Sequence, residues 1–301
     1  MKHFLIGVFV LQTLLLVAQQ VPDSSFQYPI AHPRYTSGQG PVIFLDEAHN
    51  NFHTLGGRYY AFGKLLGADG YTMVAGDKPF TQKYLNQCRI LVISNALHAD
   101  NQTRGWSLPT PSAFSANEIT AVKEWVNAGG RLLLIADHMP FGGAAADLAA
   151  AFGFGFKNGF AMDNRHRDVE FFYRSNSTLQ STPITNGAGA NTRIDTIVTF
   201  TGQAFSIPRQ AQSVLALNDT YTILLPEVAW EFNDRTPWLS AEGLHQLAYR
   251  SFGKGKVFVS GEAAMFSSQL AGPERIPTGM GVPAAKQNAQ LLLNMIHWLD
   301  E

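Results

Sequence analysis

Acids and imidazoles gather just behind the apolar runs of this sequence. Asp46-Glu47-Ala-His49-Asn50-Asn51-Phe-His53 follows Val42–Leu45, and Ser94-Asn95-Ala-Leu-His98 follows Ile90–Ile93. Asp137-His138 follows Leu132–Ile135, while Gly261-Glu262, with Ser267, Ser268 and Gln269 behind it, follows Val257–Val259. If those runs are parallel strands, their carboxyl ends are where ligands bind, so these residues are the first candidates for chemistry.

Three chemistries fit them. Imidazole with carboxylate suits a divalent ion such as zinc, with His49, His53 and His138 as metal ligands and Asp46, Asp137 or Glu262 completing the set. No HExxH pattern is present. A metal-free acid–base site needs the same types: His53 or His138 as proton shuttle, Glu262 as its acid–base partner, Asp137 beside them and Asp46 as orienter. Asp46, Glu47, Asn50, Asn51, Asn95 and Gln269 are then the polar groups for a substrate. Ser94 could serve as nucleophile with His98 or His138 as base, although the GxSxG elbow of hydrolases is absent. A purely structural role stands beside all three, because single acids and Asn pairs at strand exits often cap helices and tie loops.

The elements that must position these groups are legible in the periodicity. Short unbroken apolar runs at 42–45, 90–93, 132–135 and 257–259, with a weaker one at Tyr71–Val74, read as buried parallel strands. Helical patterns lie between them near Arg58–Leu66, Ser115–Ala128, Ala144–Phe152 and Asn288–Leu299. Ser115-Ala-Asn-Glu118 is a capping-box signature and Gly129-Gly130 a stop. The expectation is an α/β protein with a mainly parallel sheet and helices on both faces. Residues 157–250 break the rhythm and read as an insertion or mixed section, with strand-like pieces at Ile197–Phe200 and Thr222–Leu225.

With 46% hydrophobic and 15% charged residues the chain is not disordered, and 301 residues suffice for one large α/β domain over 41–301. The formal net charge is −1 and no long basic run occurs, which argues against a nucleic-acid partner. No glycine-rich phosphate loop calls for a nucleotide cofactor; Gly142-Gly143 is only a weak anion signal. Met1-Lys2-His3 and the apolar stretch Phe4–Ala18 read as a signal peptide over 1–20, too short for a typical membrane span. The protein is thus expected to be exported, to the periplasm or beyond, without stable membrane insertion, and 21–40 to be a linker or wrapping arm. Cys88 is the only cysteine and precedes a strand, where a structural role is expected. Nothing in the chain fixes an oligomeric state.

The segments GRYYAFGKLLGADGY, RILVISNAL, EITAVKEWVNAGGRLLLIADH and GKGKVFVSGEAAMF resemble the class I glutamine amidotransferase-like superfamily. Within it the chain is similar to exported bacterial domains and, more distantly, to ThuA-like proteins. The resemblance covers about 41–155 and 253–299. It implies a flavodoxin-like, three-layer fold with a nucleophile turn after Ile135–Ala136. Amidotransferases carry a Cys there, assisted by a late His; this chain has Asp137-His138 and Glu262, so glutaminase chemistry is not expected. Related domains fused to unsaturated-glucuronyl hydrolases imply a carbohydrate connection. The resulting expectation is a small-molecule site at the strand exits, serving a sugar-related hydrolase. Its rival is a ligand-binding or scaffold module without turnover.

Overall fold

The computed structural model describes residues 20–165 and 169–301. The signal-peptide reading therefore lies outside the described residues up to residue 19, as does most of the Arg165–Asp168 turn.

Five strands pair in parallel: β1 (Val42–Asp46), β2 (Thr72–Gly76), β3 (Ile90–Ser94), β4 (Arg131–Ile135) and β5 (Gly255–Ser260). They stand in the order β2–β1–β3–β4–β5. Strand residues alternate between two cores. Ile43, Leu45, Ile90, Val92, Leu133, Ile135 and Phe258 face one, packed with α1 (Tyr60–Ala68) and α3 (Asn288–Asp300). Phe44, Leu91, Ile93, Leu132, Leu134, Val257 and Val259 face the other, with α2 (Ala116–Ala128). Both faces being dry is why the runs show no polar alternation.

The parallel description holds for this half alone. Beyond β5 the sheet continues antiparallel through His245–Phe252 to Phe205–Ser206 and Gly155–Phe156, with Gln212–Ala216 also paired to His245–Phe252, making nine strands. The sheet is therefore mixed, and part of 157–250 extends it. The rest of that section forms a small sheet of Phe160–Asp163, Tyr221–Leu224 and Trp238–Ser240, and the pair Glu170–Tyr173 with Thr196–Thr199. Residues 20–40 run over the surface: Gln20–Pro22 pairs with Ser268–Ala271, and Tyr28 bonds Gln290 at 2.9 Å.

The sequence signals at α2 act as read. Ser115 accepts from the Glu118 N–H and Glu118 returns a bond to the Ser115 N–H, a box that stabilises a helix by about 1 kcal/mol. Gly129, at φ +128, ends the helix where a side chain would be strained. The single helix expected over Ala144–Phe152 is instead two short ones, Phe141–Ala144 and Ala146–Ala151.

Candidate functional site

The strand exits carry three groups of polar side chains, the second and third linked through Tyr59, which bonds Ser94 and lies within reach of the Glu262 and Asp137 charges. The first lies behind β1. Asp46 is fully buried, and its carboxylate receives His49 Nδ1 at 2.8 Å and Asn51 Nδ2 at 3.0 Å. The other nitrogen of His49 meets Glu118 Oε1 at 2.9 Å, and the ring lies between Phe80 and Phe114. Burial disfavours the charged imidazole, yet the bonds and charges of Asp46 and Glu118 outweigh it and raise the His49 pKa. Burial likewise opposes ionised Glu118, but Ser115, His49 and the Phe80 N–H bring it down to about 2. Both ring nitrogens of His49 are thus occupied by carboxylates, leaving none for a metal ion.

Asn51 also donates to the Ser94 carbonyl at 3.2 Å. Strand order reverses between β1 and β3, which is where open α/β sheets form their ligand crevice. Here the chain's own His49 and Asn51 fill that place. Asn50, at φ +49, bonds the Leu97 carbonyl at 3.0 Å, and Glu47 accepts from the Leu55 N–H at 2.7 Å. These three candidates hold the loop.

The second group sits behind β3. His53 Nδ1 lies 2.9 Å from Ser94 Oγ, and the imidazole stacks on Tyr59 at 4.3 Å. Tyr59 donates to the Ala263 carbonyl at 2.9 Å. Burial, with the Arg58 charge adding, pushes His53 down to about 3, so it is neutral at pH 7. Ser94, read as a nucleophile for His98 or His138, instead meets His53. The His98 side chain accepts from the Asp100 N–H and caps a short helix. Ser94 is fully buried and His53 nearly so, which makes this a core pair rather than an open dyad.

The third group opens outward behind β4 and β5. Asn95, at φ +48, receives the Asp137 N–H on Oδ1 at 2.9 Å and fixes the turn. Asp137 is partly exposed and accepts from the His138 N–H at 2.7 Å. His138 Nδ1 faces the Met139 carbonyl at 2.7 Å; a carbonyl only accepts, so Nδ1 carries a proton there, and Nε2 is left to face other partners. The ring stacks on Phe160 at 4.5 Å, with Trp230 edge-on at 4.8 Å and Trp106 at 6.0 Å. Trp230 is half exposed, and the Arg58 guanidinium lies 3.9 Å over the nearby Phe52 ring.

Glu262 lies beneath this corner, fully buried, with its oxygens accepting from Ala264 N at 2.9 Å and Met265 N at 2.7 Å. Burial, then the Asp137 charge, pushes its pKa well up despite those bonds. Glu170 is pushed up to about 7 by burial, with Asp163 and Asp137 contributing. Gly202 leaves room here: a Cβ would stand 2.8 Å from the Gln246 amide nitrogen and 3.0 Å from Glu262 Cβ. Both amide heteroatoms of buried Gln246 lack a partner among the described residues. Gln269, in the edge sheet paired to the arm, donates to Ser267 Oγ at 2.9 Å.

The structure thus joins Asp137, His138 and Glu262 in one neighbourhood, pairs His53 with Ser94, and holds His49 apart with Asp46. Among the described residues no three His, Cys, Asp or Glu side chains form a metal-holding group. At Gly142-Gly143 the Gly143 N–H is already bonded to Asn158 at 2.7 Å, and a Cβ at Gly142 would strike Gln203. Cys88 is buried at the opposite end of β3, bonded to the Leu85 carbonyl and pushed up to about 12 by burial. Reading from sequence missed Glu118, Tyr59, Arg58 and the ring cluster. Only Glu118 had a signal, through its capping box.

No family model and no curated protein matches the chain. Among solved structures, the mmIFT52 N-terminal domain is similar at TM-score 0.58 and 14% identity, over 86% of this chain and 96% of that one. A cytoplasmic protein from Salmonella typhimurium LT2 is similar at 0.50 and 14%, over 86% and 99%. A ThuA-like protein from Bacteroides uniformis reaches 0.48 at 10% identity, over 91% and 94%. At such identities the likeness is one of fold.

Proposed function

We propose that this is an exported α/β protein of the flavodoxin-like, amidotransferase-like build that binds a small carbohydrate-related molecule at the Asp137–His138–Trp230 corner. One observation carries the reading. Among the described residues, the second Asp137 oxygen and His138 Nε2 have no hydrogen-bond partner, and the His138 ring stands beside the half-exposed Trp230. Apolar walls with a few convergent polar groups are what small-molecule sites are made of. Flat rings can cover the C–H face of a sugar while the carboxylate and imidazole take its hydroxyls. Glutaminase chemistry has no support, because Cys88 is buried at the wrong strand end.

Titrating the purified protein with a panel of neutral monosaccharides and uronic acids, followed by tryptophan emission, tests this. At least one sugar should shift the emission, and Asp137→Asn should weaken that response at least ten-fold. A silent panel would sink the reading.

A second reading, sugar hydrolysis, is favoured by the Asp137–Glu262 pair. Burial and the Asp137 charge push the Glu262 carboxyl up, and a carboxyl held protonated near a second carboxyl is the usual acid of glycoside cleavage. Nitrophenyl glycosides of the sugars that bind should then release nitrophenol, and Glu262→Gln should abolish release. Binding without release leaves the first reading standing alone.

A further inference from the structure

We infer that the segment 226–237 forms a second sugar subsite, so that the ligand is an oligosaccharide of at least two units. This rests on the reading just given and extends it outward. The aromatic surface does not stop at His138. Phe160 lies 4.7 Å from Trp230 and 5.1 Å from Phe232, and Trp230 and Phe232 are 6.4 Å apart, both facing solvent. Beside these rings a cleft of about 290 Å³ is lined by Val228, Glu231, Asn233 and Arg235 among others. The site therefore continues from a buried ring, across two exposed rings, into a hollow carrying two carboxylates, an amide and a guanidinium. Exposed apolar surface rimmed by such groups marks a binding region.

The segment is held in shape before any ligand arrives. The Leu108 N–H donates to the Glu227 carbonyl at 2.8 Å and the Ala229 N–H to the Trp106 carbonyl at 2.8 Å. Ser107 and Val228 form a β-bridge. At the far end Asn233 receives the Arg235 N–H at 2.9 Å, and its own N–H donates to Thr236 Oγ1 at 2.9 Å. Trp230 is kept at φ +69, a conformation few side chains adopt and one that persists only where the surroundings impose it. A pre-ordered hollow of this kind loses little freedom on binding. Glu227, Glu231, Asn233 and Arg235 offer acceptors and donors for the hydroxyls of a sugar chain, and the flat rings offer cover for its C–H faces.

Calorimetric titration tests the inference with a monosaccharide that binds and the trisaccharides built from it. The trisaccharide should bind at least ten-fold tighter than the monosaccharide. The Glu231→Ala/Arg235→Ala double variant should lose that gain and keep the monosaccharide affinity, since both residues are exposed and outside the first corner. A trisaccharide no tighter than the monosaccharide overturns the second subsite and leaves the first intact. So does a gain that survives in the double variant. If neither sugar binds, the site itself has failed and the inference falls with it.

Discussion

Two strand exits in this molecule carry the same residue types and do different work. Behind β1, Asp46, His49 and Glu118 close on one another: each ring nitrogen faces a carboxylate, and two phenyl rings seal the imidazole. Behind β4, Asp137 and His138 make one bond each to neighbouring backbone, and Trp230 beside His138 is half in solvent. The lesson is that residue type at a strand exit does not reveal function. What separates a brace from a site is whether the hydrogen-bonding capacity is already satisfied.

The largest test of that contrast is His49→Ala. It leaves buried Asp46 without its imidazole partner, a loss of about 3 to 5 kcal/mol, read as a shift of the urea midpoint. His138→Ala should cost clearly less and act on ligand affinity instead. Equal destabilisation by the two would erase the distinction. Next comes Asn95→Ala, which removes the acceptor for the Asp137 N–H and places Ala at φ +48. About 2 to 3 kcal/mol is expected, with ligand response reduced because the turn is no longer fixed.

The brace should also be visible in the pH dependence of stability. The folded pKa of His49 is raised, so its contribution is complete below about pH 6.5, the ordinary histidine value, and is lost as pH rises through the folded value. Glu118 is lowered to about 2, so its contribution is present above pH 4.5 and lost as pH falls toward 2. Denaturation midpoints from pH 3 to 9 should flatten on the alkaline side in His49→Gln and on the acid side in Glu118→Gln. Unchanged curves would deny the triad its charge. The smallest effect on stability, about 1 kcal/mol or less, is expected for Trp230→Ala, because the side chain is half in water. Its ligand response should nevertheless fall.

What could be read in the sequence follows from what each element depends on. Val42–Asp46, Ile90–Ser94, Arg131–Ile135 and Gly255–Ser260 announce themselves because a strand dry on both faces must be apolar throughout. Helix α2 is marked at both ends by local chemistry, Ser115 with Glu118 and then Gly129. His245–Phe252 was illegible: HQLAYRSF mixes polar and apolar residues, and its place is set by antiparallel partners far along the chain. The site divides the same way. Asp137, His138 and Glu262 share a neighbourhood because adjacent parallel strands end together, a consequence of topology that spacing anticipates. The partner of His53 is Ser94, 41 residues away, and that of His49 is Glu118, 69 away, so neither pairing has a local signature. The rings over His138 come from residues 106, 160 and 230, which no motif links.

The pairing of Gln20–Pro22 with Ser268–Ala271 has a consequence for how the chain is completed. Asp23 and Ser268 are 245 residues apart, and they bond through both backbone and side chain. Synthesis must therefore run from the arm through Ser268, some 245 residues on, before the arm can dock. Until then Ser268–Ala271 has Ile276–Gly279 on one side and an open row of amides and carbonyls on the other. Such an edge invites pairing with another chain. The arm is both the first stretch of described chain to be made and the closure that keeps newly made molecules from joining edge to edge.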